Sequence, residues 1–237
     1  MDIYKPNLFH HEDEMIMIDS VKNYFLNFAE DAIYNTGTFR VAVSGGNTPQ
    51  LLYRELSKLS IDWGNIEIYQ VDERFIDPLS DKSNQKMIAK NFEEAIDKGC
   101  EFIKINIKES YEDTVKAYDN ELSLLDTPLF DLVILGVGVD GHIASLFPKG
   151  KYLNGDTDHV IATTTKDFDI KDRISLSLNT VLNSKNIFLY VTGEEKASIV
   201  DEAFYGHKRA IEYPIKFLFA HPEVSFFYSE DAIDTDL

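Results

Sequence analysis

The sequence predicts an α/β fold, a mostly parallel sheet flanked by helices on both faces, and three observations carry that reading. Short apolar runs alternate with segments of helical length and spacing along the 237 residues. Runs such as FRVAVS, FDLVILG and NIFLYVT show continuous apolar character with no polar face, as strands buried on both sides require. No internal repeat, low-complexity linker or charge block interrupts the alternation, so one domain covering residues 1–237 is expected.

The elements follow in order. Apolar spacing predicts an amphipathic N-terminal segment over about residues 11–36. FRVAVS (39–44) reads as a strand and TPQLLYRELSKL (48–59) as a helix, with Pro49 at its start, where a missing N–H costs nothing. IEIYQVD (66–72) is the next strand and DKSNQKMIAKNFEEAI (81–96) the next helix. EFIKIN, the helix-like YEDTVKAYDNELSLL and the strand FDLVILG come next, and then the strands HVIATTT, RISLSL and NIFLYVT. GEEKASIVDEAFY supplies a further helix, and the segment from Glu212 onward is assigned no element.

Composition excludes several classes of function. The chain is 44% apolar and 12% aromatic, enough for a full core. A formal net charge of -18 with no dense basic tract would repel a phosphodiester backbone, so nucleic acid is not an expected partner. A small anionic substrate remains compatible, since a few aimed donors hold one against a negative overall field. Only five arginines occur, and each is a candidate for that task. The single Cys100 forms no internal disulfide, and no C-x-x-C or H-E-x-x-H spacing exists, so no metal site is expected and a reducing compartment fits. The N-terminal stretch has no basic region followed by an apolar one, and no segment approaches membrane-spanning length. A cytoplasmic protein, a monomer or small homo-oligomer without membrane association, is the expectation.

In a parallel sheet, ligands sit where strands run out into loops, and three strand exits stand out. VSGGNTP carries Ser44, Gly45, Gly46, Asn47 and Thr48 between a strand and a helix. Adjacent glycines permit the positive φ that turns amides into an anion nest at a helix start; equally, they suit a tight turn with Thr48 as a cap. YQVDERF places Asp72 and Arg74 directly after a strand. Arg74 suits bidentate phosphate binding and Asp72 a sugar hydroxyl or a proton, while a solvated Asp–Arg pair accounts for the same triplet. The third exit, LGVGVDGHIASLFP, contains G-x-G-x-x-G (Gly136, Gly138, Gly141), the dinucleotide-binding pattern. It lies past the middle of the chain, and Pro148 stops any long helix after it, which disfavours a dinucleotide cradle. His142 follows the glycines at the expected helix start, where the positive helix end keeps an imidazole neutral and basic. Asp140 is placed to orient that ring. A histidine that only caps or packs there is the simpler alternative.

VAVSGGNTPQLLYREL, VDERFIDPLSDKSNQKM, FDLVILGVGVDGHIASLFP and RISLSLNTVLNSKNIFLYVTGEEKA together resemble, in order, the signatures of the 6-phosphogluconolactonases, from about Phe39 to Ala197. The resemblance implies hydrolysis of 6-phospho-D-glucono-1,5-lactone to 6-phosphogluconate in the oxidative pentose phosphate pathway, with no metal or organic cofactor. It also implies a modified Rossmann-like fold related to glucosamine-6-phosphate deaminase and ribose-5-phosphate isomerase. On that pattern His142 matches the catalytic histidine, and Ser44 to Thr48 and Arg74 match substrate-binding positions. Arg173 matches the arginine of an R-I-T-L-T-like strand.

Opening a lactone needs an activated water, a place for the oxyanion and a grip on the distant phosphate. His142 would take the proton of the water. The Gly45/Gly46 loop, Arg74 and Arg173, with Lys196 as a helper, would hold the phosphate. Two rivals remain. A glucosamine-6-phosphate deaminase would carry an acidic F-N-E-P-like run after the histidine, where this chain has ASLFP, and an aromatic residue after its D-E pair, where this chain has Arg74. A sugar-phosphate binding module without turnover would have no need of His142 and Asp140. His10, His11, His159, His207 and His221 lack any partner spacing and read as surface or packing residues.

Overall fold

The computed structural model describes residues 4–155 and 158–231. Strands β1 (Asn7–His11), β2 (Phe39–Val43), β3 (Ile66–Gln70), β5 (Glu101–Ile103), β6 (Leu132–Leu135), β9 (Asn186–Thr192) and β10 (Val224–Ser229) form one sheet, ordered β1-β10-β9-β6-β2-β3-β5. Every pairing in it is parallel. The helices are α1 (Glu14–Thr36), α2 (Gln50–Ser57), α3 (Asn84–Asn91), α4 (Glu93–Asp97), α5 (Tyr111–Leu122), α6 (Leu178–Leu182) and α7 (Ala197–Phe204).

The continuous apolar runs divide between two cores by strand alternation. In β6, Leu132 and Ile134 join the core under α1 and α2, while Val133 and Leu135 join the one under α5 and α7. In β9, Phe188 and Tyr190 face the first core and Ile187, Leu189 and Val191 the second. The long α1 is closed at both ends by its own sequence. The Asp13 carboxylate accepts from the Ile16 N–H (3.0 Å), and Gly37 takes φ 84° and donates to the Ile33 carbonyl. None of the described helices is long and apolar enough to cross a membrane.

The structure corrects the expected sheet in one respect. The HVIATTT and RISLSL segments do not extend the parallel sheet, and the strand exit DER is itself a strand. Strands β4 (Asp72–Arg74), β8 (Asp172–Leu176) and β7 (Val160–Thr164) form a separate antiparallel sheet. Val71 is the pivot: its N–H donates to the Val43 carbonyl (3.0 Å), and its own carbonyl accepts from Leu176 (2.8 Å). The chain thus leaves one sheet and enters the other within a single residue. Residues β1 and β10, assigned no element from the sequence, complete the far edge.

Candidate active site

The chain crosses from β2 to β3 on one side of the sheet and later returns to β6 on the other, so the crevice beyond β2 and β6 is the topological switch point. An open cleft lies there. Ser44, Gly45, Gly46 and Thr48 line it from the β2 exit, Asp72 and Arg74 from β4, Gly136, Gly138 and His142 from the β6 exit, and Arg173 from β8.

The glycine pattern after β6 starts no helix, which corrects the placement of His142 at a helix start. Gly138 N–H donates to the His142 carbonyl (2.9 Å) and Gly141 N–H to the Gly138 carbonyl (2.8 Å), closing a tight turn. No helix dipole therefore acts on the ring. Its orientation comes from Asp140, whose Oδ1 lies 2.5 Å from Nδ1 and 3.2 Å from the His142 N–H. Burial alone would raise the Asp140 carboxyl, but the hydrogen bonds from His142 outweigh it and hold the group below its ordinary value. An ionised Asp140 accepts only, so Nδ1 carries the proton and Nε2 is left as the acceptor nitrogen. The turn needs Gly138: a Cβ there would lie 2.1 Å from His142 Nδ1 and 2.7 Å from Asp140 Oδ1.

Across the cleft, Arg74 and Arg173 are register partners of β4 and β8. Arg40 and Arg209 pair with Glu67 and Glu212, whereas these two donate to carbonyls, Arg74 to Lys82 (2.5 Å) and Arg173 to Ile170 (3.0 Å). Burial, opposed by Asp72 and reinforced by the neighbouring Arg74, pulls the Arg173 guanidinium below its ordinary value. Arg74 Nε is buried with no protein partner. Two adjacent cations, partly desolvated and with unused donors, have the chemistry to receive an anion of phosphate geometry.

Asp72 stands between the two groups. Ser145, three residues after His142, donates to Asp72 Oδ2 (2.6 Å), and Asn84 Nδ2 donates to the Asp72 carbonyl (2.9 Å). Phe168, on the turn between β7 and β8, lies edge-on to the His142 ring (5.8 Å) and under the Arg173 guanidinium (5.6 Å).

Three expected residues do not line the cleft: Asp140, which meets it through His142, and Lys196 and Asn47. Lys196 sits on the 3-10 turn after β9, which β6 separates from β2. Asn47 turns to Gln50, whose Nε2 it accepts (3.3 Å). Of the two glycines, only Gly46 takes a positive φ (99°), and α2 starts without a side-chain cap, so Thr48 lines the cleft and does not cap. His221 is a packing residue, as its sequence context suggested, buried with Nε2 2.9 Å from the Ser184 carbonyl.

Sequence reasoning assigned no role to Glu73, Asn84, Ser145 or Phe168. Glu73, 1% exposed, accepts from Gln70 Nε2, the Arg74 N–H, Ser83 Oγ and the N–H groups of Asn84 and Gln85, at 2.7–3.1 Å. It ties the start of α3 to β4. Glu73→Ala would leave those donors buried without an acceptor, and is expected to cost about 3 kcal/mol. The thermal midpoint, followed by circular dichroism, should fall by roughly 6–12 °C; an unchanged midpoint would remove Glu73 from this role.

The family model described as glucosamine-6-phosphate isomerases/6-phosphogluconolactonase matches residues 12–226. The 6-phosphogluconolactonase of Mesorhizobium japonicum is 34% identical over 177 residues, 73% of this chain and 74% of that protein. That of Rhizobium meliloti is 30% identical over 190 residues, 78% and 81% of the two chains. The crystal structure of a 6-phosphogluconolactonase from Shewanella baltica superposes with a TM-score of 0.88 at 28% identity, covering 96% of this chain and 99% of the other. With the fold, the strand-exit cleft and these relatives in agreement, the chain belongs to the glucosamine-6-phosphate isomerase/6-phosphogluconolactonase family.

Proposed function

We propose that this chain hydrolyses 6-phospho-D-glucono-1,5-lactone to 6-phospho-D-gluconate, with His142 as the base that activates water. One observation carries the assignment of roles: a carboxylate-oriented imidazole and a pair of guanidiniums that form no salt bridge among the described residues line the same cleft. The arginines hold the phosphate, and this grip fixes the lactone carbonyl near His142 Nε2. Nε2 takes a proton from water as its oxygen attacks the carbonyl carbon. Asp140 stabilises the imidazolium so formed. When the ring C–O bond breaks, the imidazolium returns the proton to the departing ring oxygen, and the new carboxylic acid ionises. The amides of Gly138 and Gly141 are engaged within their turn, so they are not the donors to the oxyanion.

The residues after His142 favour the lactonase over a deaminase. Ala144, Ser145 and Phe147 form the adjoining wall of the cleft, and none supplies a carboxylate for acid–base work on an amino sugar. A side-by-side assay discriminates the two: acid release from the lactone in a pH-stat, and ammonia release from glucosamine 6-phosphate. Acid without ammonia supports the proposal; ammonia without acid moves the chain to the deaminase branch, and neither makes it a binding module.

The turn geometry yields a further expected result. Gly138→Ala should displace the His142 ring and lower kcat about tenfold or more, with the thermal midpoint and KM little changed. An unaltered kcat would show that the close approach of ring and backbone is not needed.

A further inference from the structure

Asn84 is 2% exposed and lines the cleft, and its side chain is held in one sense by its neighbours. Nδ2 lies 2.9 Å from the Asp72 carbonyl and 3.3 Å from Asp72 Oδ1. The backbone carbonyl only accepts, so the amide turns its NH₂ toward it and its oxygen away. The N–H of Asn84 is fixed in turn by Glu73 Oε1 (2.8 Å). Asn84 Oδ1 is thereby left buried with no hydrogen-bond partner, as is Ser44 Oγ on the opposite strand exit. Gly45 is shaped around this oxygen, since a Cβ there would lie 1.9 Å from it. A buried acceptor without a donor is costly, and at a cleft wall the missing donor is one that a ligand brings.

The position narrows the ligand group. Asp72, which Asn84 holds, is two residues from Arg74 along β4, about 7 Å in an extended strand, and is bonded to Ser145 of the His142 loop. Asn84 therefore lies between the phosphate end and the reacting end of the cleft. We propose that Asn84 Oδ1 accepts a hydrogen bond from a ring hydroxyl of the sugar, and so sets the specificity of the site for a hydroxylated ring. This rests on the lactonase reading and adds a specificity-determining residue to it.

The test is a cycle of enzyme and substrate changes. The wild-type chain and Asn84→Ala are each assayed on 6-phosphogluconolactone and on its 2-deoxy, 3-deoxy and 4-deoxy analogues. In the wild type, one deoxy lactone should lose about tenfold or more in kcat/KM. Asn84→Ala should lose a similar factor on the parent lactone and nothing further on that one analogue, while the other two analogues still respond to the mutation. Asn84→Ser, with a shorter side chain that cannot reach the same place, carries the same cycle should the alanine variant not fold. Equal losses on all four lactones, or no discrimination by the wild type, would overturn the inference while leaving the lactonase reading intact. A wild-type chain without activity on the parent lactone would overturn both.

Discussion

His142→Gln is expected to lower kcat for 6-phosphogluconolactone by roughly 10²–10⁴-fold, the usual contribution of a positioned general base, with KM changed by less than about threefold. Glutamine keeps a polar side chain of similar reach but cannot take a proton at neutral pH. The split between kcat and KM is the diagnostic reading, because the phosphate grip on the other side of the cleft is untouched. A variant that retained the wild-type rate would remove His142 as the base. Asp140→Asn should lower kcat in the same sense, since an amide no longer selects the tautomer with its proton on Nδ1. The Asp140 carboxyl is held below its ordinary value by His142. A depressed carboxyl contributes stability above its unfolded value, about 3.9, and loses it as pH falls through the folded one. The pairing thus stays intact across the neutral range and fails only in acid, below about pH 4.

Arg74→Ala is expected to reduce kcat/KM for the phosphorylated lactone by about 100-fold, because truncating one member of a partly buried charge-assisted contact costs several kcal/mol. Most of that loss should appear in KM. On unphosphorylated glucono-1,5-lactone the same variant should differ from the wild type by less than about threefold. Arg74→Lys should recover only part of the loss, as an ammonium lacks the planar fork that the guanidinium presents to phosphate. If the two lactones suffered equally, Arg74 would be acting on the fold or on the chemistry and not on the phosphate. Arg173, whose guanidinium stacks on Phe168, should behave similarly with a larger cost in stability, because it is 7% exposed and packs against the aromatic wall.

Much of this architecture is legible in the amino-acid order, and the reasons are local. LVIL of β6 and IFLYV of β9 read as strands because both of their faces are buried, leaving no polar alternation to confuse them with helices. Strand β1 was not legible. NLFHH is half exposed at the sheet edge, and what holds it is pairing with β10 more than two hundred residues away, together with Phe9 stacked on Phe227 at 4.9 Å. The second sheet was hidden for a related reason: strand periodicity says that a segment is extended, not which sheet it joins, and the switch at Val71 uses no turn residue.

The cleft shows the same division. His142, Asp140 and Arg74 are chemically distinctive and lie at strand exits, so their residue types mark them, whereas Arg173 lies at the start of β8 and was marked by the family resemblance alone. The helix expected after Gly141 was the weak step, because glycine spacing serves a closed turn as well as a helix start. Asn84 and Ser145 carried no mark in the chain. Their roles come from contacts with Asp72, 12 and 73 positions away, which only the folded chain brings about.

The most direct measurement is the decay of 6-phosphogluconolactone, generated in place from glucose 6-phosphate and followed by phosphorus NMR, with the wild-type chain, with His142→Gln and with buffer alone. Decay well above the buffer rate for the wild type, falling back toward it for His142→Gln, is the predicted result. Equal decay in all three would contradict the account, and equal acceleration by both proteins would leave the lactonase standing with a base other than His142.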